Sequence, residues 1–148
     1  MRDYVQGFYS VGIESQYILA WRYARGPSGP DAQYLNCLRR RSLAFVRHRH
    51  GRLAYILLAD KGFDGPQARA DDLIPPRQGQ HRVRRPDRRA RLDLSGQARL
   101  DGWYGQRWKI ETVYSVMKRK SGDALRSCTR ARQRREIAVK ALIYNLHV

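Results

Sequence analysis

Residues 102–120, with the sequence GWYGQRWKIETVYSVMKRK, carry a helical pattern that sorts their side chains onto two faces. With about 100° of rotation per residue, four polar residues fall within roughly 60° of one another. They are Tyr104, Arg107, Glu111 and Lys118. The opposite face carries apolar residues suited to a core, namely Ile110, Val113 and Met117. The pattern therefore predicts one amphipathic helix over Gly102–Lys120, with chemistry confined to one face.

The polar face places one carboxylate among groups that bind phosphate. Glu111 is suited to ligate a cation, and the neighbouring phenol, guanidinium and ammonium groups are suited to hold a metal-bound phosphodiester. The alternative is a solvated face with ordinary ion pairs, which contribute little when they are exposed. The spacing of the four residues favours the first interpretation.

The intervals between these four residues are two, three and six residues long. They resemble the Tyr-Arg-Glu-Lys signature of DDE transposases encoded by bacterial insertion sequences, in the insertion-sequence-4 superfamily. The segment LLADKGFD at residues 57–64 resembles that family's strand, which ends in an acidic residue before a Gly-aromatic turn. The flanking segments YILAWRYARGP, IPPR and ALIYNLH extend the resemblance over nearly the whole chain.

The resemblance implies an active site in which two Asp and one Glu hold two divalent ions, Mg²⁺ or Mn²⁺. Asp60 matches the second of these positions and Glu111 the third, so both are expected to be catalytic and to ligate metal. Tyr104, Arg107 and Lys118 match positions that contact DNA. We expect the carboxylates of Asp60 and Glu111 to converge, on the roughly 4 Å scale of two-metal sites.

The first carboxylate of such a site has no clear match in the chain. Asp3 precedes the first predicted strand and Glu14 lies at its end, whereas the family's residue lies on an earlier strand, upstream of Met1. Asp64 is a further candidate, although a turn residue in the sequence FDGP is the simpler interpretation. The resemblance therefore implies the C-terminal portion of a transposase.

The first part of the chain predicts a hairpin, a helix and a strand. Residues 4–13 and 16–25 are rich in aromatic and β-branched residues, which favours two antiparallel strands. After a break rich in Gly and Pro, Asp31 is placed to cap a helix from about 32 to 48. The apolar run 53–59 then predicts a buried central strand.

The second part predicts a loop and, beyond the amphipathic helix, one further helix. Residues 69–100 lose periodicity and are rich in arginine, which predicts a basic loop or insertion, either a solvated linker or a DNA contact. Any strand at Leu73–Ile74 should be short, because Pro75 and Pro76 cannot donate to a ladder. A final helix over 130–147 should bury four apolar residues, namely Ile137, Leu142, Ile143 and Leu146.

In order, these elements match an α/β fold, a ribonuclease-H-like mixed sheet with flanking helices that lacks its first strand. A chain of 148 residues is long enough for one such domain. Residues 1–148 are therefore expected to form one partial catalytic domain, with the basic segment 69–100 as a loop or insertion within it.

Composition points to a polyanionic partner. Thirty Lys and Arg against thirteen Asp and Glu give a net charge of +17, which favours double-stranded DNA through counterion release. RNA binding is less favoured because no RNA-recognition motif is present, and no apolar run long enough to span a membrane occurs. Cys37 and Cys128 have no CxxC partner, which is typical of reduced cytosolic thiols, and the resemblance implies a cytoplasmic, nucleoid-associated protein.

Two functions follow, and the sequence leaves both open. The first is a transposase that cleaves and joins DNA at insertion-sequence ends, with a homodimer on DNA as an open alternative to a monomer. The second is a catalytically inactive DNA-binding remnant of such an enzyme. They differ in whether a further Asp completes the site.

Overall fold

A computed structural model of the chain describes residues 5–25, 30–50, 56–77 and 86–148. Its strands and helices are, in order, β1 (Val5–Val11), β2 (Ile18–Arg25), α1 (Leu35–His50), α2 (Pro86–Leu100), α3 (Trp108–Ser121) and α4 (Arg130–His147). Short 3-10 helices occupy Asp31–Tyr34, Lys61–Phe63 and Tyr104–Arg107. The fold is mixed α/β and has, within the described ranges, a two-stranded antiparallel sheet and four α-helices.

The sheet lies between helices on both of its faces. β1 and β2 pair in the predicted antiparallel hairpin, with Tyr9 opposite Trp21. Successive strand residues point to opposite faces, and the irregularity in register between Ser10 and Val11 separates Ile18 from Ala20, so the hairpin contributes to two separate apolar clusters. One contains Phe8, Ala20, Ala24 and Leu38, and the other contains Ile18, Val113, Met117, Ala141 and Tyr144. Helix α1 therefore covers one face, while α3 and α4 cover the other.

The first helix begins differently from its predicted cap. Asp31 lies inside the 3-10 helix that precedes α1, and the residue before that helix is Pro30, which makes no side-chain cap hydrogen bond. The Asp31 carboxylate lies instead beside Gly62, where an added Cβ would be 3.0 Å from Oδ2. The prediction of a cap at Asp31 was wrong, because this side chain lies beside the 3-10 helix Lys61–Phe63.

The predicted central strand is only partly represented, since residues 53–55 lie outside the described ranges. Leu58 forms a single parallel bridge with Leu73. The amide of Leu73 donates to the Leu57 carbonyl at 2.9 Å, and the Ala59 amide donates to the Leu73 carbonyl at 3.3 Å. Ile56 is exposed, so the described part is an extended segment with one bridge rather than a buried strand. The short pairing at Leu73 agrees with the prediction made from the following prolines.

The basic segment contains a helix that its sequence pattern does not reveal. Residues 78–85 lie outside the described ranges, but 86–100 form α2, which corrects the prediction of a loop over 69–100. Pro86 opens the helix and Asp87 lies in its first turn, both favourable at an N-terminus. Its buried residues are Arg91, Ser95 and Ala98. Because this inward face is mostly polar, the helix lacks the apolar periodicity used to predict one.

The last two helices follow the predictions more closely. The predicted helix over Gly102–Lys120 begins as a turn and a 3-10 helix, so that α3 starts only at Trp108 and ends before Gly122, whose φ is 76°. Val113 and Met117 are buried as predicted. The bounds of α4 match the prediction, but its burial does not, since Ile137 is joined in the core by Ala141 and Tyr144. Three residues predicted to be buried, Leu142, Ile143 and Leu146, are exposed.

Candidate active site

A cavity of about 790 Å³ lies between β1, α1, the extended segment before Asp60 and the beginning of α3. Most of its lining is apolar. Its polar lining includes Glu14, Asp60, Gln106, Arg107, Lys109 and Glu111. Three of the residues singled out in the sequence share one cavity, namely Asp60, Arg107 and Glu111. Asp60 is distant in sequence from the other two.

Asp60 caps the short 3-10 helix Lys61–Phe63. Its Oδ1 accepts a hydrogen bond from the Lys61 amide at 2.8 Å. The residue is exposed, and no salt bridge holds it within the described ranges. One carboxylate oxygen thus fixes the side chain, while the other has no protein hydrogen-bond partner among the described residues.

Glu111 lies in the first turn of α3 and pairs with Arg107. The distance from Arg107 Nη1 to Glu111 Oε1 is 2.7 Å, and the Glu111 side chain is 59% exposed. Exposed pairs of this kind contribute less than about 1 kcal/mol, because water competes for both groups. A carboxylate at this position is also favoured by the partial positive charge of the helix N-terminus. Glu111 is therefore held in place without being closed to a ligand.

Tyr104 lies close enough to Asp60 for their charges to interact. Burial, followed by the negative charge of Asp60, raises the pKa of the Tyr104 phenol, whereas Arg107 and Arg99 act in the opposite direction. The guanidinium of Arg99 lies over the Tyr104 ring, 5.4 Å from its centroid. The phenol therefore stays neutral near neutral pH and can donate a hydrogen bond to a phosphate oxygen.

Lys118 is separated from this group. It is exposed and lies two turns beyond Glu111, roughly 10 Å further along the axis of α3. It does not line the cavity that Asp60, Arg107 and Glu111 share. The four polar residues predicted to share one helical face are thus divided between the edge of the cavity and the surface beyond it.

Asp64, considered above as a substitute for the first carboxylate, is fully engaged in the protein interior. Its side chain is 4% exposed and pairs with Arg88 Nη2 at 2.5 Å and with Arg91 Nη2 at 2.8 Å. It also accepts the Arg77 amide at 2.9 Å. Burial would raise the pKa of Asp64, but these hydrogen bonds outweigh it and lower the pKa. With its oxygens occupied by guanidinium groups, Asp64 is unsuited to ligate a metal.

The same contacts give three arginines of the basic segment a role inside the fold. Arg88 and Arg91 of α2 point inward to Asp64, and the Arg77 guanidinium donates to the carbonyls of Lys61 and Gly62. These three arginines hold the fold together, a role that the sequence, which left a solvated linker and a DNA contact open, did not predict. Arg82, Arg84 and Arg85 lie outside the described ranges.

The residues present do not make a complete site for two divalent ions. Among residues 5–25, 30–50, 56–77 and 86–148, no three or more His, Cys, Asp or Glu side chains are grouped so as to hold a metal ion. Two clustered cations need several anionic oxygens, and Asp60 with Glu111 supplies too few. Glu14 lines the same cavity without completing such a group, and Asp3 lies outside the described ranges.

Gln106 is a residue of this cavity that the sequence pattern did not single out. Its Oε1 is buried and has no hydrogen-bond partner within the described part of the chain. A buried acceptor without a partner is unfavourable, so such a group usually meets a donor or a ligand. The feature of the sequence that could have identified Gln106 as a site residue is its position next to Arg107.

Comparison with known proteins places the chain in a family. Residues 33–146 match the sequence model of the family described as "Transposase DDE domain". No curated protein and no solved structure matched the chain. In the described ranges, none of the helices combines the length and apolarity needed to span a bilayer. Because the family match covers more than half of the chain and includes both Asp60 and Glu111, the chain belongs to the transposase DDE domain family.

Proposed function

We propose that the chain is the C-terminal portion of a transposase catalytic domain, acting on double-stranded DNA at the ends of a bacterial insertion sequence. The observation that carries this proposal is that Asp60 and Glu111 line one cavity together with Arg107. Assignment to the insertion-sequence-4 superfamily is supported by the spacing of Tyr104, Arg107, Glu111 and Lys118. A ribonuclease-H-like fold is supported by a sheet with helices on both faces.

In this proposal, the carboxylates and the basic groups have separate roles. Asp60 and Glu111 are two of the anionic ligands for Mg²⁺ or Mn²⁺, ions that stabilise charge on a reacting phosphodiester when they are bound. Tyr104 and Arg107 contact the phosphate next to the cavity, and Lys118 contacts a phosphate further along the DNA. The net charge of +17 supplies the general attraction to DNA in the cytoplasm of a bacterium.

A second candidate is a catalytically inactive DNA-binding remnant. It is favoured by the lack of a third suitably placed carboxylate among the described residues. Both candidates bind DNA, and a homodimer on DNA is compatible with either. They differ in the response to an added carboxylate, which completes the site only in the first.

The test is cleavage of an end-labelled duplex that carries an insertion-sequence end, in the presence of Mg²⁺ or Mn²⁺. We expect the purified 148-residue chain to bind the duplex without cleaving it. Extending the chain by the codons upstream of Met1, where they encode an Asp, should restore cleavage. Glu111→Gln in the extended chain should abolish cleavage, because an anionic ligand becomes neutral. Asp93→Asn, a change at an exposed residue of α2, is the matched control and should leave cleavage unchanged.

Three outcomes would contradict parts of this proposal. Failure to bind DNA in dilute buffer would exclude nucleic acid as the partner. Binding without cleavage by every extended chain would favour the inactive remnant. Robust cleavage by the 148-residue chain, lost in Asp60→Ala, would show that the site is complete and would make Glu14 the first residue to examine as a third ligand.

A further inference from the structure

The short 3-10 helix Lys61–Phe63 carries the Asp60 carboxylate at its beginning. The Asp60 side chain accepts the Lys61 amide at 2.8 Å, and the Asp60 carbonyl accepts the Phe63 amide at 2.9 Å. A helix of three residues is not stable alone, because each of its ends leaves backbone groups without an internal partner. The orientation of the Asp60 carboxylate therefore depends on what holds the other end of this helix.

The other end of the helix is held by Arg77. Its Nη2 donates to the Gly62 carbonyl at 2.9 Å, and its Nε donates to the Lys61 carbonyl at 3.2 Å. Its backbone amide donates to the Asp64 carboxylate at 2.9 Å, just beyond the helix. An arginine near the C-terminal end of a helix can satisfy the last carbonyls in this way. Asp60 and Arg77 thus cap opposite ends of one helix.

The backbone brings Asp60 and Arg77 together through the pairing of the segments that precede them. Leu58, two residues before Asp60, forms its bridge with Leu73, which is followed by the segment that leads to Arg77. Two prolines come directly before Arg77, and proline fixes φ at about −65°, which limits the directions that the chain can take. The place of Arg77 at the end of the 3-10 helix is therefore set by the same pairing that places Asp60.

The Arg77 guanidinium acts on a different group from the other arginines around this turn. Arg88 and Arg91 pair with the Asp64 carboxylate. The Arg77 guanidinium instead donates to two backbone carbonyls, and the residue is exposed. Replacing its side chain removes these two hydrogen bonds and keeps the backbone amide that donates to Asp64. The contribution of Arg77 can therefore be tested without breaking the buried ion pairs.

We propose that Arg77 is a positioning residue for Asp60. By closing one end of the 3-10 helix, its guanidinium holds the Asp60 carboxylate at the other end in one orientation. In that orientation Oδ1 is engaged by the Lys61 amide, and the second oxygen is left for a ligand. Ligation of a metal ion by Asp60 rests on the proposed function, whereas the coupling of Arg77 to Asp60 rests on the hydrogen bonds of the turn alone.

The direct test is amide hydrogen exchange of the 148-residue chain, measured by NMR without DNA or metal. The Lys61 amide reports on the Asp60 cap, because it donates to the Asp60 carboxylate. We expect Arg77→Ala to speed exchange of the Lys61 amide by about tenfold, since a hydrogen bond from a charged group contributes about that factor to an equilibrium. The amide of Ala141, which is buried in α4, should exchange as in the parent chain, because local opening of the turn leaves the core closed.

Two further variants serve as controls. Arg89→Ala removes an exposed arginine of α2 and should leave exchange of the Lys61 amide unchanged. Arg77→Lys keeps the charge but replaces a planar fork of donors by a single ammonium. Its Lys61 amide should exchange faster than in the parent chain and more slowly than in Arg77→Ala. This milder variant also gives a readout where Arg77→Ala fails to fold.

In a chain extended upstream to supply a further carboxylate, the substitution should change the use of metal rather than the binding of DNA. Arg77→Ala should raise the Mg²⁺ concentration for half-maximal cleavage by up to about tenfold, because the apparent affinity falls with the fraction of molecules that present Asp60 correctly. The affinity for the duplex should be unchanged. A loss of DNA affinity without faster exchange at Lys61 would make Arg77 a phosphate contact and would overturn the positioning role.

The outcomes separate this inference from the proposed function. Equal exchange of the Lys61 amide in Arg77→Ala and in the parent chain would overturn the positioning role. An equal acceleration at Ala141 would also overturn it, because it would show only a general loss of stability. Faster exchange confined to the turn, together with failure of every extended chain to cleave DNA, would leave the coupling of Arg77 to Asp60 standing and overturn the catalytic function.

Discussion

The two ends of one short 3-10 helix, Lys61–Phe63, show how the same residue type takes opposite roles. Asp60 precedes this helix and Asp64 follows it. The Asp64 side chain is 4% exposed and paired with Arg88 and Arg91, whereas Asp60 is exposed on a cavity that it shares with Arg107 and Glu111. A buried charge has to be fully paired, and a fully paired carboxylate is not available to bind a metal ion or another ligand. An exposed carboxylate stays available to a ligand.

A second buried pair repeats the arrangement around Asp64. Arg39 of α1 forms a salt bridge with Asp72, and both side chains are almost fully buried. The Asp72 carboxylate also accepts the Arg69 amide at 2.7 Å, and Arg39 donates to the carbonyl of Gln67. Part of the arginine content of this basic chain therefore stabilises its interior, and part remains for a polyanion.

The largest expected effect is on Asp64. Asp64→Ala leaves Arg88 and Arg91 without their carboxylate, and breaking a buried pair in this way costs about 3–5 kcal/mol of unfolding free energy. That loss is comparable to the whole stability of a marginal domain, commonly about 5–15 kcal/mol. Urea unfolding followed by circular dichroism measures it.

Asp60→Ala is the matched control for this substitution, at the other end of the same 3-10 helix. It removes a cap hydrogen bond to Lys61 and should cost only about 0.5–2 kcal/mol. Equal losses of unfolding free energy in the two variants would show that Asp64 contributes no more to stability than Asp60 does. The proposed difference between the two ends of the helix would then be wrong.

Acid should destabilise the fold through its engaged carboxylates. Burial opposes ionisation of Glu136, but amide donors from Arg126 and Ser127 outweigh it and lower its pKa from 4.5 to about 2; the pKa of Asp64 is lowered as well. A lowered folded-state pKa contributes stability above the unfolded-state value and loses it as pH falls through the folded one. The urea midpoint should be level above roughly pH 5 and fall toward pH 2.

Glu136→Gln tests the share of this acid loss that belongs to one group. Its amide side chain does not ionise, so the variant should start from a lower stability at pH 7 and fall less steeply below about pH 4.5. If the stability of the variant falls as steeply with decreasing pH as that of the parent chain, the pH dependence belongs to other carboxylates.

The sequence predicted the parts of this fold whose signals are local. The hairpin follows from alternating β-formers, and α4 was bounded correctly because apolar residues recur along it. Helix α2 was missed because its buried face contains the polar residues Arg91 and Ser95, and Arg91 pairs with Asp64, which is distant in sequence. A pattern of apolar residues cannot indicate a helix that packs through an ion pair.

In the candidate site, too, the sequence identified residues that have a local signal and missed contacts between distant parts of the chain. The spacing within residues 102–120 identified Arg107 and Glu111, and the strand-end motif identified Asp60. The engagement of Asp64 by α2 depends on a contact between distant parts of the chain and was not foreseen. Burial on α4 was misassigned because Ala141 and Tyr144, rather than larger aliphatic residues, occupy the inward face.

Binding to DNA should depend on Arg107, at the end of the 3-10 helix before α3, and on Lys118 of α3, rather than on the buried arginines. Arg107→Ala and Lys118→Ala should each reduce the slope of log K against log[salt] by about 0.9, since each removes one phosphate contact. The measurement is a salt titration of affinity for duplex DNA. Arg135→Ala, at an exposed residue of α4, is the control and should leave the slope unchanged. If neither Arg107→Ala nor Lys118→Ala changes the slope of log K against log[salt], the DNA contacts another surface of the protein.

The smallest expected effect concerns the pairing of Arg107 with Glu111. The two groups are one helical turn apart and largely exposed, so a double-mutant cycle with Arg107→Ala and Glu111→Gln should give a coupling of about 0.3–0.5 kcal/mol at low salt. The coupling should disappear in molar salt, where the screening length is about 3 Å. The Asp64–Arg91 pair, whose side chains are 4% and 2% exposed, should keep its coupling under the same conditions because solvent ions cannot reach it. A salt-resistant coupling at Glu111 would mean that this carboxylate is as firmly engaged as Asp64, and it would then be a poor ligand for a metal ion.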